Sequence, residues 1–230
     1  MLRTLLAAVC LVFGTGAAHT EDAQSTQCAI ALAFALDIST SVDDHEHRLQ
    51  RAGLATALTD TEIREVILSW AGGVSLMAYE WSGSHRQAVI APWQSIETDA
   101  DLNTFAASLI DHPRTENEFP TAIGNAIAFG ATMLDKVSFC TRLILDVSGD
   151  GAANDGFPPH SAYKHFPLAL VTVNGLVVEG TDPTVHRYYL DNVIHGPGAF
   201  VETAAGYEDY ARAMKRKLLR ELQVTQFAGQ

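Results

Sequence analysis

The sequence has few basic residues and few cysteines, and both shortages restrict what the protein can be. Lys and Arg total 15 against 27 Asp and Glu, so the formal net charge is −12. Because nucleic-acid binding requires clustered basic side chains on phosphates, we expect no nucleic-acid partner. Three cysteines cannot by themselves supply the four closely spaced ligands of a structural zinc site. The 47% hydrophobic content of the 230 residues instead predicts a chain with a sizeable core.

The sequence also lacks the common catalytic motifs. It contains neither a G-x-x-x-x-G-K-[ST] phosphate loop nor a G-x-S-x-G nucleophile elbow. An aspartyl phosphotransferase would need a second Asp two residues after Asp37, and Ser39 stands there. We therefore expect that the protein is not an enzyme, with a metal-assisted hydrolase as the catalytic alternative.

The first 18 residues have the pattern of a secretory signal peptide. Arg3 supplies a positive charge, Leu5 to Phe13 is a short apolar run, and small residues follow at Gly16 to Ala18. This order predicts an exported protein, periplasmic or secreted, with an uncleaved anchor or a buried helix as the alternative. No later run is long and apolar enough for a membrane span. We expect a short segment at 19–27, one domain at 28–222 and a tail at 223–230.

Apolar runs of strand length alternate with helical segments along the domain. Strands are expected at Ala29 to Leu36, Val74 to Trp81, Gln87 to Trp93, Arg142 to Ser148, Leu168 to Val173 and Ala199 to Glu202. Helices are expected at Asp43 to Leu58, Thr61 to Trp70, Asp99 to Ile110, Thr121 to Leu134 and Tyr207 to Leu222. This alternation predicts a doubly wound α/β sheet with helices on both faces.

Oxygen-bearing side chains follow two of the predicted strands. Asp37, Ser39 and Ser41 alternate directly after the first strand. Thr121 precedes a predicted helix, and Asp150 follows a buried strand. Ligands of open α/β sheets bind at the carboxyl ends of the strands, and carboxylates with hydroxyls suit Mg²⁺, Mn²⁺ or Ca²⁺. We therefore expect a divalent-cation site here, although either late residue alone could be a helix cap or a turn.

These motifs resemble the metal-ion-dependent adhesion site of von Willebrand factor type A (vWA) domains. The closest resemblance is to a bacterial family, domain of unknown function 1194, and it is carried by Leu145 to Gly151, Val173 to Leu176 and Asp191 to Val201. It implies a mostly parallel six-stranded sheet of order 3-2-1-4-5-6 with an antiparallel third strand. The implied metal ligands are Asp37, Ser39, Ser41, Thr121 and Asp150. Because Gly149 is an insertion relative to the motif, Asp146 is a rival to Asp150; Thr40 also stands where the motif commonly has Gly.

The resemblance also bears on the cysteines and on the partner. Cys10 would leave with the signal peptide, so Cys28 and Cys140 form either a disulfide or two separate thiols. The implied strand order places them at the start of adjacent strands and favours the disulfide. In the family, an acidic side chain of a bound protein completes the metal shell. The expected function is cation-dependent protein binding, and the alternative is a metal-free scaffold in assembly of the cell envelope.

Overall fold

The chain folds into one six-stranded sheet with helices on both faces. A computed structural model describes residues 28–114, 118–180 and 182–223. The expected signal peptide, the segment 19–27 and tail residues 224–230 lie outside this part of the chain. The strands are β1 (Ile30–Asp37), β2 (Val74–Trp81), β3 (Gln87–Ile96), β4 (Arg142–Gly149), β5 (Val171–Val178) and β6 (Val201–Ala204). They run in the order β3-β2-β1-β4-β5-β6, and only the β2–β3 pair is antiparallel, which confirms the predicted fold class and strand order.

In the described ranges, seven α-helices accompany these strands. They are α1 (Asp44–Thr59), α2 (Thr61–Ser69), α3 (Asp99–Asp111), α4 (Ile123–Asp135), α5 (Pro159–His165), α6 (Val185–Tyr188) and α7 (Tyr210–Gln223). A π-helical turn (Tyr189–Val193) continues α6, and a 3₁₀ turn (Tyr207–Asp209) precedes α7. In the described residues, no helix is both long and apolar enough to cross a bilayer.

The central strand β1 is buried on both faces, as its continuous apolar run predicts. Its large side chains, such as Phe34, join a core with α1, α3 and α7. Its alanines, such as Ala33, face a second core that includes α4. Because the side chains on this face of β1 are small, α4 packs close to the sheet. A Cβ added at Gly130 of α4 would lie 2.6 Å from a methyl group of Leu145 in β4. These two layers hold the end of β1, where Asp37 stands.

The loop between β1 and α1 is fixed by a capping box. Asp43 Oδ1 accepts from the backbone N–H groups of His45 and Glu46, and Glu46 Oε2 accepts from the Asp43 N–H. Such reciprocal caps satisfy donors that a helix start leaves free. The loop that carries Ser39 and Ser41 is therefore anchored at both ends.

The position of β5 differs from the sequence prediction. We expected a strand from Leu168 to Val173, but β5 begins at Val171 and continues through Asn174 and Gly175 to Val178. The Asn174 amide is buried and paired, because Nδ2 donates to Glu221 Oε1 (2.7 Å) and Oδ1 accepts from Phe200 N (3.0 Å). With these partners in place, Asn174 and Gly175 continue the strand, so the predicted strand end at Val173 is wrong.

Cys28 and Cys140 form a disulfide at the amino-terminal end of the sheet. They precede the adjacent strands β1 and β4, where Ile30 pairs with Arg142. The Thr141 N–H donates to the Cys28 carbonyl at 2.9 Å, which continues the ladder up to the bridge. The expected disulfide is thus confirmed.

Candidate metal centre

The five predicted ligands come together at the carboxyl end of β1 and β4. Asp37 is the last residue of β1, and Ser39 and Ser41 follow it in the loop to α1. Thr121 lies just before α4, and Asp150 directly follows β4. Asp37, Ser39 and Thr121 are buried, Asp150 is partly exposed and Ser41 is exposed. The cluster therefore has a buried base and one side open to solvent.

A chain of short contacts links these side chains. Ser41 Oγ donates to Asp150 Oδ1 at 2.6 Å, and Ser39 Oγ lies 3.2 Å from Ser41 Oγ. Thr121 Oγ1 donates to Ser39 Oγ, also at 3.2 Å. The Ser39 N–H donates to Asp37 Oδ1 at 2.7 Å. Three segments of the chain, at 37–41, at Thr121 and at Asp150, thus bring their oxygens into one cluster.

The spacing and chemistry of these oxygens fit a small divalent cation. Octahedral Mg²⁺ holds oxygens at about 2.0–2.1 Å, which puts neighbouring ligand atoms about 2.9 Å apart. The contacts between the hydroxyl oxygens and Asp150 span this value. In the part of the chain that the structure describes, no three His, Cys, Asp or Glu side chains could hold a metal together. A cation at this point would therefore depend on the hydroxyls, which disfavours soft metals.

Asp37 is the electrostatic centre of the site. Burial, reinforced by the nearby charge of Asp150, raises the pKa of Asp37 to about 8. Its Oδ2 atom is buried and has no hydrogen-bond partner among the described residues. A buried carboxylate in this state is costly unless a positive charge or further donors face it. A divalent cation would supply that charge.

Backbone contacts hold the serine loop against its neighbours. Both the N–H and the hydroxyl of Thr40 donate to the Phe119 carbonyl at 2.9 Å. Arg114 Nη2 donates to the Val42 carbonyl at 2.6 Å, and its Nη1 pairs with Asp44 at 2.9 Å. The Thr40 departure from the motif thus has a structural role: its side chain ties the loop to the segment before α4.

Two residues that the sequence reasoning missed also position the ligands. Asn154 Oδ1 accepts from the Thr121 N–H at 2.8 Å, and the Asn154 N–H donates to the Thr121 carbonyl at 2.9 Å. The buried Gln50 Nε2 donates to the Asp37 carbonyl at 2.8 Å. These residues are an ordinary loop Asn and an ordinary helical Gln in the sequence, so no motif marks them.

The rival residue Asp146 lies elsewhere. It sits inside β4 and faces α7, where Lys217 Nζ lies 2.8 Å from its Oδ2 and contacts Glu221 Oε1. All three side chains are completely buried or nearly so. Burial disfavours the Lys217 charge, but the two carboxylates raise its pKa overall. Burial also raises the pKa of Asp146 to about 7, against the effect of Lys217. Asp146 thus belongs to a buried charge network, while Asp150 contacts the serines.

Solved structures share this fold. Proximal thread matrix protein 1 from the mussel byssus, with zinc in its metal-ion-dependent adhesion site motif, has a TM-score of 0.64 at 16% identity over 84% of this chain and 48% of its own. A von Willebrand factor type A protein from Catenulispora acidiphila has a TM-score of 0.62 at 12% identity over 85% and 43%. The pilus adhesin SpaC from Lactobacillus rhamnosus GG has 0.63 at 11% identity over 86% and 31%. This chain spans half or less of each of these proteins.

Family comparison gives a direct assignment. Among curated proteins no sequence matches the chain. The family model described as protein of unknown function DUF1194 matches residues 27–226, a range that includes every residue that the structure describes. The chain therefore has the vWA-type α/β fold and belongs to the DUF1194 family.

Proposed function

We propose that this protein is an exported, non-enzymatic vWA-type module that binds a divalent cation and, through it, a protein partner. The observation that carries the proposal is the oxygen cluster above the buried, unpartnered Oδ2 of Asp37. Ser39, Ser41 and Thr121 would contribute hydroxyls, and Asp37 and Asp150 would contribute the negative charge. Mg²⁺ is the first candidate, with Mn²⁺ and Ca²⁺ as alternatives.

The ligand set of the site would leave a bound cation with a position for an oxygen of an acidic partner group. Two carboxylates match the charge of one divalent cation, and the three hydroxyls add none. When bound, such a cation would act as an electrophile able to accept one further oxygen ligand. The open side of the cluster, at Ser41 and Asp150, gives a partner access. Because the chain carries a net charge of −12, attraction of an acidic partner must come from the ion and not from the surface as a whole.

The structural neighbours agree with this direction. One is solved with zinc in its adhesion-site motif, and another is a pilus adhesin. In this chain the carboxyl end of the sheet reaches the surface, where Ser41 is exposed. A cation-dependent protein contact at that end is the function that the oxygen cluster supports best.

Thermal unfolding tests the cation step. The purified protein and its Ser39→Ala variant are heated in EDTA and in millimolar Mg²⁺, Mn²⁺ or Ca²⁺. The control variant is Ser138→Ala, because Ser138 is exposed and lies just before Cys140, at the other end of the sheet. A ligand at about 100 times its Kd adds about 2.7 kcal/mol, which for a domain of this size raises Tm by about 5–10 °C. We expect this rise in wild type and in the control but not in Ser39→Ala. Equal behaviour of all three proteins would contradict the site.

Peptide binding tests the partner step. Short peptides that contain one aspartate are titrated into the Mg²⁺-loaded protein, with asparagine versions as controls. We expect binding of the aspartate peptides only, abolished by EDTA. Binding that survives EDTA would favour the metal-free scaffold, and turnover of phosphate esters would favour the hydrolase.

A further inference from the structure

Two buried oxygens without partners face the same point beside the metal centre. They are Asp37 Oδ2 and the Tyr189 hydroxyl, and neither has a hydrogen-bond partner among the described residues. A Cβ added at Gly149 would lie 2.5 Å from the Tyr189 hydroxyl and 2.8 Å from Asp37 Oδ2. These two distances limit the separation of the oxygens to about 5.3 Å at most, which one shared water can bridge. One is an acceptor and the other carries a donor hydrogen, so they are complementary.

The sheet makes room for this tyrosine with two glycines. Gly175 in β5 lies under the ring, since a Cβ there would be 2.7 Å from Tyr189 Cδ1. Gly149 at the end of β4 clears the hydroxyl. Glycine weakens a strand interior, so its presence often marks a close approach by another group. The Gly149 insertion that set this sequence apart from the adhesion motif thus has a specific role: it admits the Tyr189 hydroxyl beside Asp37.

The backbone around Tyr189 is also unusual. Tyr189 is the first residue of the π-helical turn, and its carbonyl accepts from the Ile194 N–H at 3.1 Å, five residues on. At the end of the turn, the Tyr163 hydroxyl donates to the Val193 carbonyl. Single π turns inside helices occur frequently at functional sites because they shift the direction of side chains. The ring of Tyr189 is completely buried, so its direction is fixed by packing.

We propose that Tyr189 is a positioning residue of the metal centre, whose hydroxyl donates a hydrogen bond to Asp37 Oδ2, directly or through one water, and orients this carboxylate for a cation. The inference rests on the proposed cation binding and adds a residue outside the adhesion motif to the site. The Ser39 N–H already occupies Asp37 Oδ1, and the Tyr189 hydroxyl is the complementary donor for Oδ2. Gly149 and Gly175 are the structural requirements for this contact.

Calorimetric titration with Mn²⁺ and thermal unfolding in EDTA together test the role of the hydroxyl. Tyr189→Phe removes one oxygen atom. Since a hydrogen bond to a charged group contributes about 1.5–3 kcal/mol, the Kd should rise about ten- to a hundredfold. In EDTA, Tm should stay level or rise, because the Tyr189 hydroxyl has no hydrogen-bond partner among the described residues when no cation is bound, and its contact with Asp37 Oδ2 contributes only when cation binding charges that carboxylate. A structural role alone would lower Tm and leave the Kd unchanged.

Tyr210→Phe is the matched control. Tyr210 is equally buried, but its hydroxyl lies 2.7 Å from Ser148 Oγ and so has a partner. Its removal should lower Tm in EDTA and leave the Kd for Mn²⁺ unchanged, the reverse of the Tyr189→Phe pattern. The two variants therefore separate cation affinity from folding stability.

A pair of glycine variants tests the same contact if Tyr189→Phe fails to fold. Gly149→Ala should weaken Mn²⁺ binding, because the added methyl collides with both oxygens. Gly151→Ala should bind like wild type, since its Cβ would lie 3.7 Å from Thr121 Oγ1, an ordinary contact distance. Wild-type affinity in Tyr189→Phe, or in Gly149→Ala, would overturn the positioning role while leaving cation binding intact. A wild-type protein that binds no Mn²⁺ would overturn the proposed function and this inference together.

Discussion

The buried carboxyl of Asp37 predicts an unusual pH dependence of stability in the absence of metal. Its pKa is about 8 in the folded protein against 3.8 for an ordinary Asp, because of burial and the charge of Asp150. A folded protein that holds this proton more tightly than the unfolded chain loses stability as pH rises from about 4 to about 8. Each pH unit between the two pKa values corresponds to about 1.36 kcal/mol, so the ceiling is about 6 kcal/mol. Between pH 5 and pH 8 we expect a loss of about 2–4 kcal/mol in the free energy of unfolding.

Urea unfolding in EDTA at several pH values measures this loss, and Asp37→Asn isolates it. The asparagine has nearly the same shape, keeps an oxygen for the Ser39 N–H and has no proton to lose. Asp146, whose pKa is about 7 mainly because of burial, contributes a loss of the same sign in both proteins. The difference between wild type and Asp37→Asn therefore reports Asp37 alone.

A saturating divalent cation should remove this difference. The cation favours the charged carboxylate, so the wild type in Mg²⁺ should no longer lose the Asp37 contribution as pH rises. Asp37→Asn should show the same pH profile in Mg²⁺ and in EDTA. Parallel pH profiles of wild type and Asp37→Asn in EDTA would refute the reasoning, because they would mean that Asp37 is ionised in the metal-free protein.

Three further predictions concern the framework of the site. Replacement of both disulfide cysteines, Cys28 and Cys140, by serine should lower the free energy of unfolding by up to about 5 kcal/mol, according to the chain-entropy model for residues 112 apart. Urea unfolding measures this loss, and the affinity for the cation should not change. A loss of affinity would contradict the remote position of the bridge. Lys217→Met leaves two buried carboxylates without their cation, so a destabilisation of about 3–5 kcal/mol is expected in the same assay, and a loss below 1 kcal/mol would contradict the network. Asn154→Ala removes the acceptor for the Thr121 N–H. We expect a free energy of unfolding about 1–2 kcal/mol lower and a several-fold higher Kd for Mn²⁺ by calorimetry. An unchanged Kd would show that this bond does not position Thr121.

The sequence allowed the sheet to be predicted because its buried strands are continuous apolar runs. The run before Asp37 and the run before Asp150 both predict strands covered on two faces, and the structure contains both. The prediction ended the fifth strand at Val173, but the strand continues through Gly175 because of the contacts of Asn174. Its partners, Glu221 and Phe200 N, are distant in sequence and could not be inferred from the local pattern.

In the candidate site, too, the local sequence predicts some of the residues, while others are brought in only by tertiary packing. Four of the predicted ligands, Asp37, Ser39, Ser41 and Asp150, follow strands at motif spacing, and Thr121 precedes a helix, so their convergence could be expected from sequence. The contributions of Gln50, Asn154 and Tyr189 depend on which loops and helices meet at the sheet end. Gly149 is visible in the sequence as an insertion. The reason for a glycine there is seen only in the structure, where a Cβ added at Gly149 would lie 2.5 Å from the Tyr189 hydroxyl. Pairings of this kind arise from packing and leave no periodic pattern.

The central claim is that a divalent cation binds among the hydroxyls of Ser39, Ser41 and Thr121. Its most direct test is a crystal structure of the protein soaked in MnCl₂, with anomalous diffraction data collected at the manganese edge. The account predicts an anomalous peak within about 2.5 Å of the serine hydroxyl oxygens, and its loss in Ser39→Ala crystals treated in the same way. A Mn²⁺ peak only at other positions, or no peak in the wild type, would contradict the claim.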